Sequence, residues 1–392
     1  MDLNFDKIFK IVITALNLTR SHPYIARDKK WAFQFFILQG LFTVNFVVIM
    51  YNIIYHDLKA NDFAQVCKNG IMAVVYVVIT FQYCILLKHQ DLFVTVINNI
   101  KRDYEESKRF SPAEREVIYK YVEKGIWVCK QWVVVSFCGP GLFTGKSLLL
   151  MLYYYCINDF KLVPILDMKF PAYMEDNLHY LVLYFLTYAL VLEFGLYSGL
   201  MYLAYVPLGP IFILHACGQL ELVAMKIDVL FVELDDEVIK RKLKNIIEHL
   251  QYIYRFTDHL NTIFQVGNEL TLKGSTLMLP VTCYEILEAF NRNEYSLEYF
   301  VFIVGSTLFS STPCFYGDLL MEKGESVRTS LYTCGWEQYY DRRTRSTLLV
   351  MLQYALRPVA IQTIFTVMCL DTLTNLFQQS YAIFNLMNAM WG

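Results

Sequence analysis

Two groups of polar side chains sit where an apolar environment makes them expensive. Glu193 lies in the middle of the apolar run from Tyr180 to Ala216, and a carboxylate at such a depth is costly and usually functional. It could pair with a donor on a ligand, with Lys146 in the preceding apolar run, or with water in a vestibule. The second group closes the chain: Asn375, Gln378, Gln379, Ser380, Asn385 and Asn388 are mixed into an apolar stretch. Amides in hydrocarbon must face protein or water. One reading is hydrogen bonding between helices of a single chain. The other is a set of such helices packed around an axis and lining an ion path. Tyr381, Phe384 and Asn388 are three and four residues apart and share a helical face. A ring of Phe384 side chains could close such a path by dewetting, with Asn385 or Asn388 meeting a partly hydrated cation. No carboxylate follows Asp371, so the path would be weakly selective.

Covalent chemistry finds no support. HExxH, GxSxG, a P-loop and a strand–GxGxxG–helix unit are all missing. Gly145-Lys146-Ser147 matches the end of a P-loop, but Pro140 stands where its first glycine belongs. The ten cysteines include no CxxC and mostly lie in apolar runs, so buried free thiols are expected, without metal or cofactor. His215 and Gln219 are expected to hydrogen-bond, not to bind metal. A net charge of −2 gives no reason to expect a nucleic-acid partner.

Something must hold these groups in lipid. The 392 residues are 56% hydrophobic and only 18% charged, against about 25% charged in a soluble domain. Seven apolar segments can cross about 30 Å of hydrocarbon: 31–55, 63–87, 125–157, 180–216, 264–290, 299–320 and 348–390. The third and fourth are long enough to project beyond a bilayer, and the seventh reads as two helical pieces. Mixed apolar and charged residues from Leu220 to His259 read as helices outside it. No linker or repeat divides the chain. Lys and Arg in the connections number 25 on one side and 5 on the other. The charge rule then predicts a cytoplasmic N-terminus and an external C-terminus, leaving the sequon Asn17-Leu18-Thr19 unused in the cytoplasm. This is the reverse of a G-protein-coupled receptor, and no Asp-Arg-Tyr or Asn-Pro-x-x-Tyr occurs at the usual places.

The last eighty residues carry, in order, Pro313-Cys314-Phe315-Tyr316-Gly317-Asp318, Tyr332 with Trp336, Arg357-Pro358, and Ser380-Tyr381-Ala382-Ile383-Phe384-Asn385-Leu386-Met387. This resembles the C-terminal signature of the insect odorant receptor family, with all four elements in family order. The resemblance implies an all-α membrane fold of seven transmembrane helices and a cytoplasmic helical anchor. It also implies an odorant-gated nonselective cation channel in the plasma membrane of olfactory sensory neurons. The final helix would line the central pore of a tetramer, making Tyr381, Phe384, Asn385 and Asn388 pore or gate residues. Tyr332, Trp336, Tyr339 and Arg357 would belong to the anchor that carries subunit contacts. The short fourth connection marks a ligand-tuned subunit that pairs with the shared co-receptor in a heterotetramer surrounded by membrane lipid.

A small volatile is expected where helices two, three, four and six converge in the outer half of the membrane. Ser136, Gly139 and Phe143 share a face of the third, and Gly139-Pro140-Gly141 would loosen that helix. Tyr76, Thr80 and Phe81, then Tyr184, Tyr188 and Leu192, then Phe300, Ile303 and Thr307 are the candidate walls on the others. Each aromatic could equally serve ordinary helix packing. The expected division is 1–319 for sensing and 320–392 for anchor and pore, within one membrane domain. Gustatory receptors, the nearest relatives, close on Thr-Tyr and Gln-Phe, where this chain has Ser380-Tyr381 and Met387-Asn388. A metabotropic receptor would need cytoplasmic loops that engage a G protein, and an external N-terminus, shown by a glycan on Asn17, would favour it. A transporter would need repeated halves, and no internal duplication is visible.

Overall fold

Helix starts in this chain follow local capping chemistry. A computed structural model describes residues 3–60, 63–166, 181–232, 235–291 and 297–391; Lys169, Tyr180, Arg292 and Gly392 lie outside them. Asp28 accepts from the Trp31 amide at 2.7 Å and opens α3 (Lys29–Asn52). Ser111 and Glu114 form a reciprocal capping box with Pro112 in the first turn, which starts α6 (Pro112–Cys156). Before them come α1 (Phe5–Ile8) and α2 (Lys10–Leu18), then α4 (Phe63–Lys88) and α5 (Gln90–Glu106). After α6 come α7 (Leu181–Tyr205), α8 (Leu208–Asp228), α9 (Asp236–Asn291), α10 (Leu297–Thr333), α11 (Arg342–Tyr354) and α12 (Leu370–Trp391). Among the described residues the fold is all-α, with one isolated bridge between Gln362 and Val367.

Among the described residues, five helical stretches are long and apolar enough to cross a membrane: Lys29–Asp57, Phe63–Lys88, Pro112–Cys156, Leu181–Asp228 and Leu297–Gln338. The remaining two expected segments fall on α9 and α12. These helices are more polar because α9 carries Glu269, Lys273 and Glu285 and α12 carries its amides. The fourth segment is two helices, broken at Val206–Pro207. The seventh is likewise two pieces, α11 and α12, joined by an irregular stretch. At 1.5 Å per residue the 56 residues of α9 span about 84 Å, so much of it lies beyond any bilayer.

That extra length builds a base of α1, α2, α5, α8, the start of α9 and α11. Helix α8 is its hub. Ile211, Phe212, Leu214, Cys217, Leu220, Leu222, Val223 and Ile227 are all buried, so the helix is enclosed on every side, as an all-round apolar helix must be. Polar groups tie it to its neighbours. Glu221 accepts from Tyr121 Oη (2.6 Å) and pairs with Lys120 (3.1 Å) and Lys323 (3.3 Å). His215 Nε2 lies 3.0 Å from Asp103 of α5, which also accepts from Tyr252 Oη of α9 at 2.6 Å. Gln219 meets His249 Nε2 at 2.8 Å.

Burial works against the Asp103 carboxylate, but the bonds from His215 and Tyr252 and the charge of Arg102 outweigh it and hold it below the usual carboxylate range. Burial, with Lys226 nearby, pushes His249 down to about 4. Both groups then favour folding above their unfolded values, about 6.5 for His and 3.9 for Asp, and lose that contribution as pH falls through the folded ones. Thermal unfolding of the purified protein is expected to be flat above about pH 7 and to drop between about pH 6.5 and 4. His249→Gln removes the histidine shifted to about 4, so its melting curve should show a smaller decline over that range. An unchanged profile would assign the decline elsewhere.

Candidate functional site

At the end of the bundle opposite the base, α4, α6, α7, α9 and α10 line a partly open cavity of about 160 Å³. Small residues let the helices approach and still leave space. On α7, Gly195 and Gly199 are one turn apart and face α6: a Cβ would lie 3.2 Å from Pro140 Cβ and 2.7 Å from the Ser136 carbonyl, respectively. Such close backbone approach is what binds helices together in lipid. At Gly139 a Cβ would meet nothing within 4 Å, so the missing side chain is part of the hollow. Edge-on aromatic pairs make the walls: Trp132 with Phe309 (6.4 Å), Tyr202 with Phe309 (5.4 Å) and Phe143 with Phe302 (5.8 Å). Ile165 and Leu166 close one side. Their segment is tied down at the Val163 carbonyl, which accepts from Ser147 Oγ (2.8 Å) and Tyr184 Oη (2.7 Å).

Of the twelve residues expected around a ligand, Ser136, Gly139, Phe143 and Leu192 line this cavity. The other eight stand elsewhere. Tyr76 stacks on Phe46 at 4.1 Å and bonds Thr43, and Thr80 accepts from Gln39 at 3.2 Å, so both face α3. Phe81 is exposed. Tyr184 holds Val163, with the ring of Tyr188 5.8 Å from its own. Phe300 is exposed beside Phe290 (6.2 Å), Ile303 packs half-buried on the core, and the Thr307 carbonyl accepts from Ser311 at 2.6 Å. The cause is angular. The cavity faces are Met72, Val75 and Val78 on α4 and Phe302, Gly305, Ser306 and Phe309 on α10, each on roughly the opposite side of its helix from the expected set, about 150–200° round at about 100° per residue. Residues Gly274, Ser275 and Met278 of α9 also line the cavity; the only sequence signal for them was a glycine inside a long helical pattern. Neither Glu193 oxygen has a hydrogen-bond partner among the described residues. Lys146, one candidate partner, pairs instead with Glu298.

The C-terminal motifs converge on α12. Cys314 and Leu320 are fully buried, and a Cβ on Gly317 would lie 2.3 Å from the Met368 carbonyl, so only glycine lets this chain segment seat against α10. Asp318 accepts from the Leu370 amide at 3.4 Å, at the start of α12. Asn261 of α9 clasps the same segment with both ends of its amide, donating to the Ala360 carbonyl (3.1 Å) and accepting from the Gln362 amide (2.9 Å). Arg357 lies over the Tyr354 ring at 5.8 Å. Tyr339 donates to Asp236 at 2.6 Å and packs on Phe231, while Trp336 Nε1 donates to the Tyr332 carbonyl at 3.2 Å. Gly335 supplies the left-handed turn between them (φ 85°), and Tyr332 itself is exposed.

Helix α12 rests on α9 through Leu376, Ser380 and Met387, which are buried. Ser380 Oγ donates to the Thr276 carbonyl at 3.4 Å. Phe384 is half-buried against the cluster of Cys67, Tyr284 and Met387. The opposite face, with Asn375, Gln378, Gln379, Tyr381, Asn385 and Asn388, is exposed, Tyr381 at 67%.

The structure is an all-helical bundle with an apolar cavity at one end and a last helix whose polar face is uncovered. The sequence pattern of the family described as 7tm Odorant receptor matches residues 62–381, and this chain belongs to that family of seven-helix membrane receptors. It is similar to Odorant receptor 85c of Drosophila melanogaster, 26% identical over 183 residues (45% of this chain, 46% of the relative). Odorant receptor 13a of the same organism is 24% identical over 196 residues (46% and 47%). The chain thus spans about half the length of the relatives it matches in sequence. In fold it is similar to the olfactory receptor OR5 from Machilis hrabei, with a TM-score of 0.76 over 97% of both chains at 14% identity. The structure of that receptor in complex with eugenol gives a TM-score of 0.75 over 98% of both at 13% identity.

Gly317→Ala forces a side chain against a backbone carbonyl, and overpacking of this kind costs about 1–3 kcal/mol. Gly139→Ala places the same methyl in open space. In a melting assay of the purified proteins, Gly317→Ala should unfold several degrees lower while Gly139→Ala stays level or rises. Equal behaviour would remove the close approach as the reason for the glycine.

Proposed function

We propose that this chain is the ligand-tuned subunit of an odour-gated, nonselective cation channel. A volatile occupies the cavity among α4, α6, α7, α9 and α10, and α12 lines the pore. The observation that carries the reading is the shared turn of α9. Ser275 lines the cavity, and the carbonyl of Thr276, the next residue, receives Ser380 of α12. A ligand that favours one position of the α9 turn therefore acts directly on the seat of α12. A bias of a few kcal/mol between closed and open states is enough to gate. The uncovered amide face of α12 supports an ion path completed by other subunits, for amides at that depth need partners or water. A similar fold solved with eugenol supports a volatile as the ligand.

The Lys and Arg count places the base, with its α11 anchor and Tyr332, Trp336, Tyr339 and Arg357, in the cytoplasm, and the cavity in the outer half of the membrane. Residues 1–319 then serve sensing, and 320–392 serve anchoring and conduction. The assembly is a heterotetramer with the shared co-receptor in the plasma membrane of olfactory sensory neurons, in contact with lipid.

Whole-cell recording from cells expressing the chain with and without the co-receptor tests this, using a panel of volatiles. Fast inward currents that need no added nucleotide or G protein are expected, and only with the partner. Currents from the chain alone would make it self-sufficient, while a nucleotide requirement or a glycan on Asn17 would refute the channel topology. Tyr381→Ala, on the outward face of α12, should raise the current without odorant and leave surface expression unchanged, whereas Phe384, half-buried against Cys67, Tyr284 and Met387, stands at the edge of that face.

A further inference from the structure

Ser136 of α6 and Ser275 of α9 identify the chemistry of the ligand, given the odour-gated reading above. Both side chains are buried and both line the cavity. Neither hydroxyl has a hydrogen-bond partner among the described residues. Other helical hydroxyls nearby behave differently. Ser198 donates to the Phe194 carbonyl (2.6 Å), Thr271 to Gly267 (2.9 Å) and Thr276 to Leu272 (2.8 Å), each one turn back along its own helix. That local bond is the ordinary resting place of a hydroxyl in an apolar helix. Ser136 and Ser275 forgo it and keep both donor and acceptor capacity for whatever fills the cavity. A buried hydroxyl left unmade is destabilising, so its pairing with a ligand is worth more than the same bond at a surface.

The size of the cavity, which is partly open, gives a scale for the part of the ligand it holds. Apolar protein cavities of about 150 Å³ take one benzene molecule, and this one is about 160 Å³. Its edge-on aromatic walls favour a flat ring. We propose that the ligand class is a one-ring or similarly small volatile bearing a hydrogen-bonding oxygen, and that Ser275 and Ser136 select it through that oxygen. Selectivity arises because a hydrocarbon of the same shape fills the space and leaves both hydroxyls unpaired, and sites that hydrogen-bond a substrate group reject analogues lacking it. Ser275 has a further role. It sits on the turn of α9 that holds Ser380, so the polar end of the ligand engages the helix that supports α12.

The test is a set of dose–response curves from the full chain with its co-receptor, using shape-matched pairs: 4-methylphenol with 1,4-dimethylbenzene, benzyl alcohol with ethylbenzene, and acetophenone with isopropylbenzene. The oxygenated member of the responding pairs should act at the lower concentration. Ser275→Ala and Ser136→Ala should each raise its half-maximal concentration by about 3- to 10-fold, with the maximal current kept. Ser275→Cys, which keeps the side-chain shape with a somewhat larger atom that donates weakly, should shift the oxygenated member in the same direction. The hydrocarbon curves should not move in any variant, and that separates lost hydrogen bonding from altered packing. Equal potency within pairs, responses confined to hydrocarbons, or equal shifts of both members would overturn the assignment. No evoked current from any compound, with normal surface expression, would instead refute the odour-gated reading and this inference with it.

Discussion

The structure depends on one uninterrupted helix. The 56 residues of α9 begin in the base beside Tyr339, pass Asp103 and the α8 hub, form a wall of the cavity, and carry α12 on their far side. A helix in hydrocarbon satisfies its backbone only by staying helical, because an opened turn leaves amides and carbonyls without water. Within α9, Pro280 lacks the amide that would bond the Thr276 carbonyl, and Ser380 of α12 donates to that freed carbonyl instead. What moves the cavity face of α9 moves the carbonyl under Ser380 as well. In the proposed function, ligand site and last helix communicate through this shared stretch of α9.

The two ends of the bundle are held by different forces. In the base, burial of apolar surface drives packing, and α8 is enclosed completely, with Glu221, Asp103 and Gln219 fixing its angle by bonds to α6, α10, α5 and α9. Around the cavity, lipid is as apolar as the helix faces, so burial contributes little to association. Contact there relies on small residues that let backbones meet, as Gly195 and Gly199 do against Pro140 and Ser136. Such contacts are local. Between them the helices diverge, and the hollow stays open without a large penalty.

The C-terminal signature reads as docking hardware. Gly317 admits the Met368 carbonyl, Asp318 holds the first turn of α12, and Asn261 reaches from α9 to clamp residues 360 and 362. Together these residues fix where α12 begins and which face it turns to α9. The amide face is left outward because the buried positions are taken by Leu376, Ser380 and Met387. Beyond its start, α12 rests on α9 through the buried Leu376 and Met387 and the 3.4 Å bond of Ser380.

The sequence by itself determined the helical class, the apolar segments, the division of the last segment into two, and the membership that the C-terminal motifs announce. These follow from composition, segment length and residue spacing, which are local properties. It also placed Ser136, Gly139 and Phe143 on one face of α6, since a 3.6-residue period needs no partner. Which way each other face points was decided only in three dimensions. Tyr76 and Thr80 turn to α3, Phe81 and Phe300 are exposed, and α9 enters the cavity wall with Ser275. In water, the apolar side of a helix marks its inner face. In lipid both sides are apolar, so periodicity loses its direction, and only the packing of helix against helix restores it.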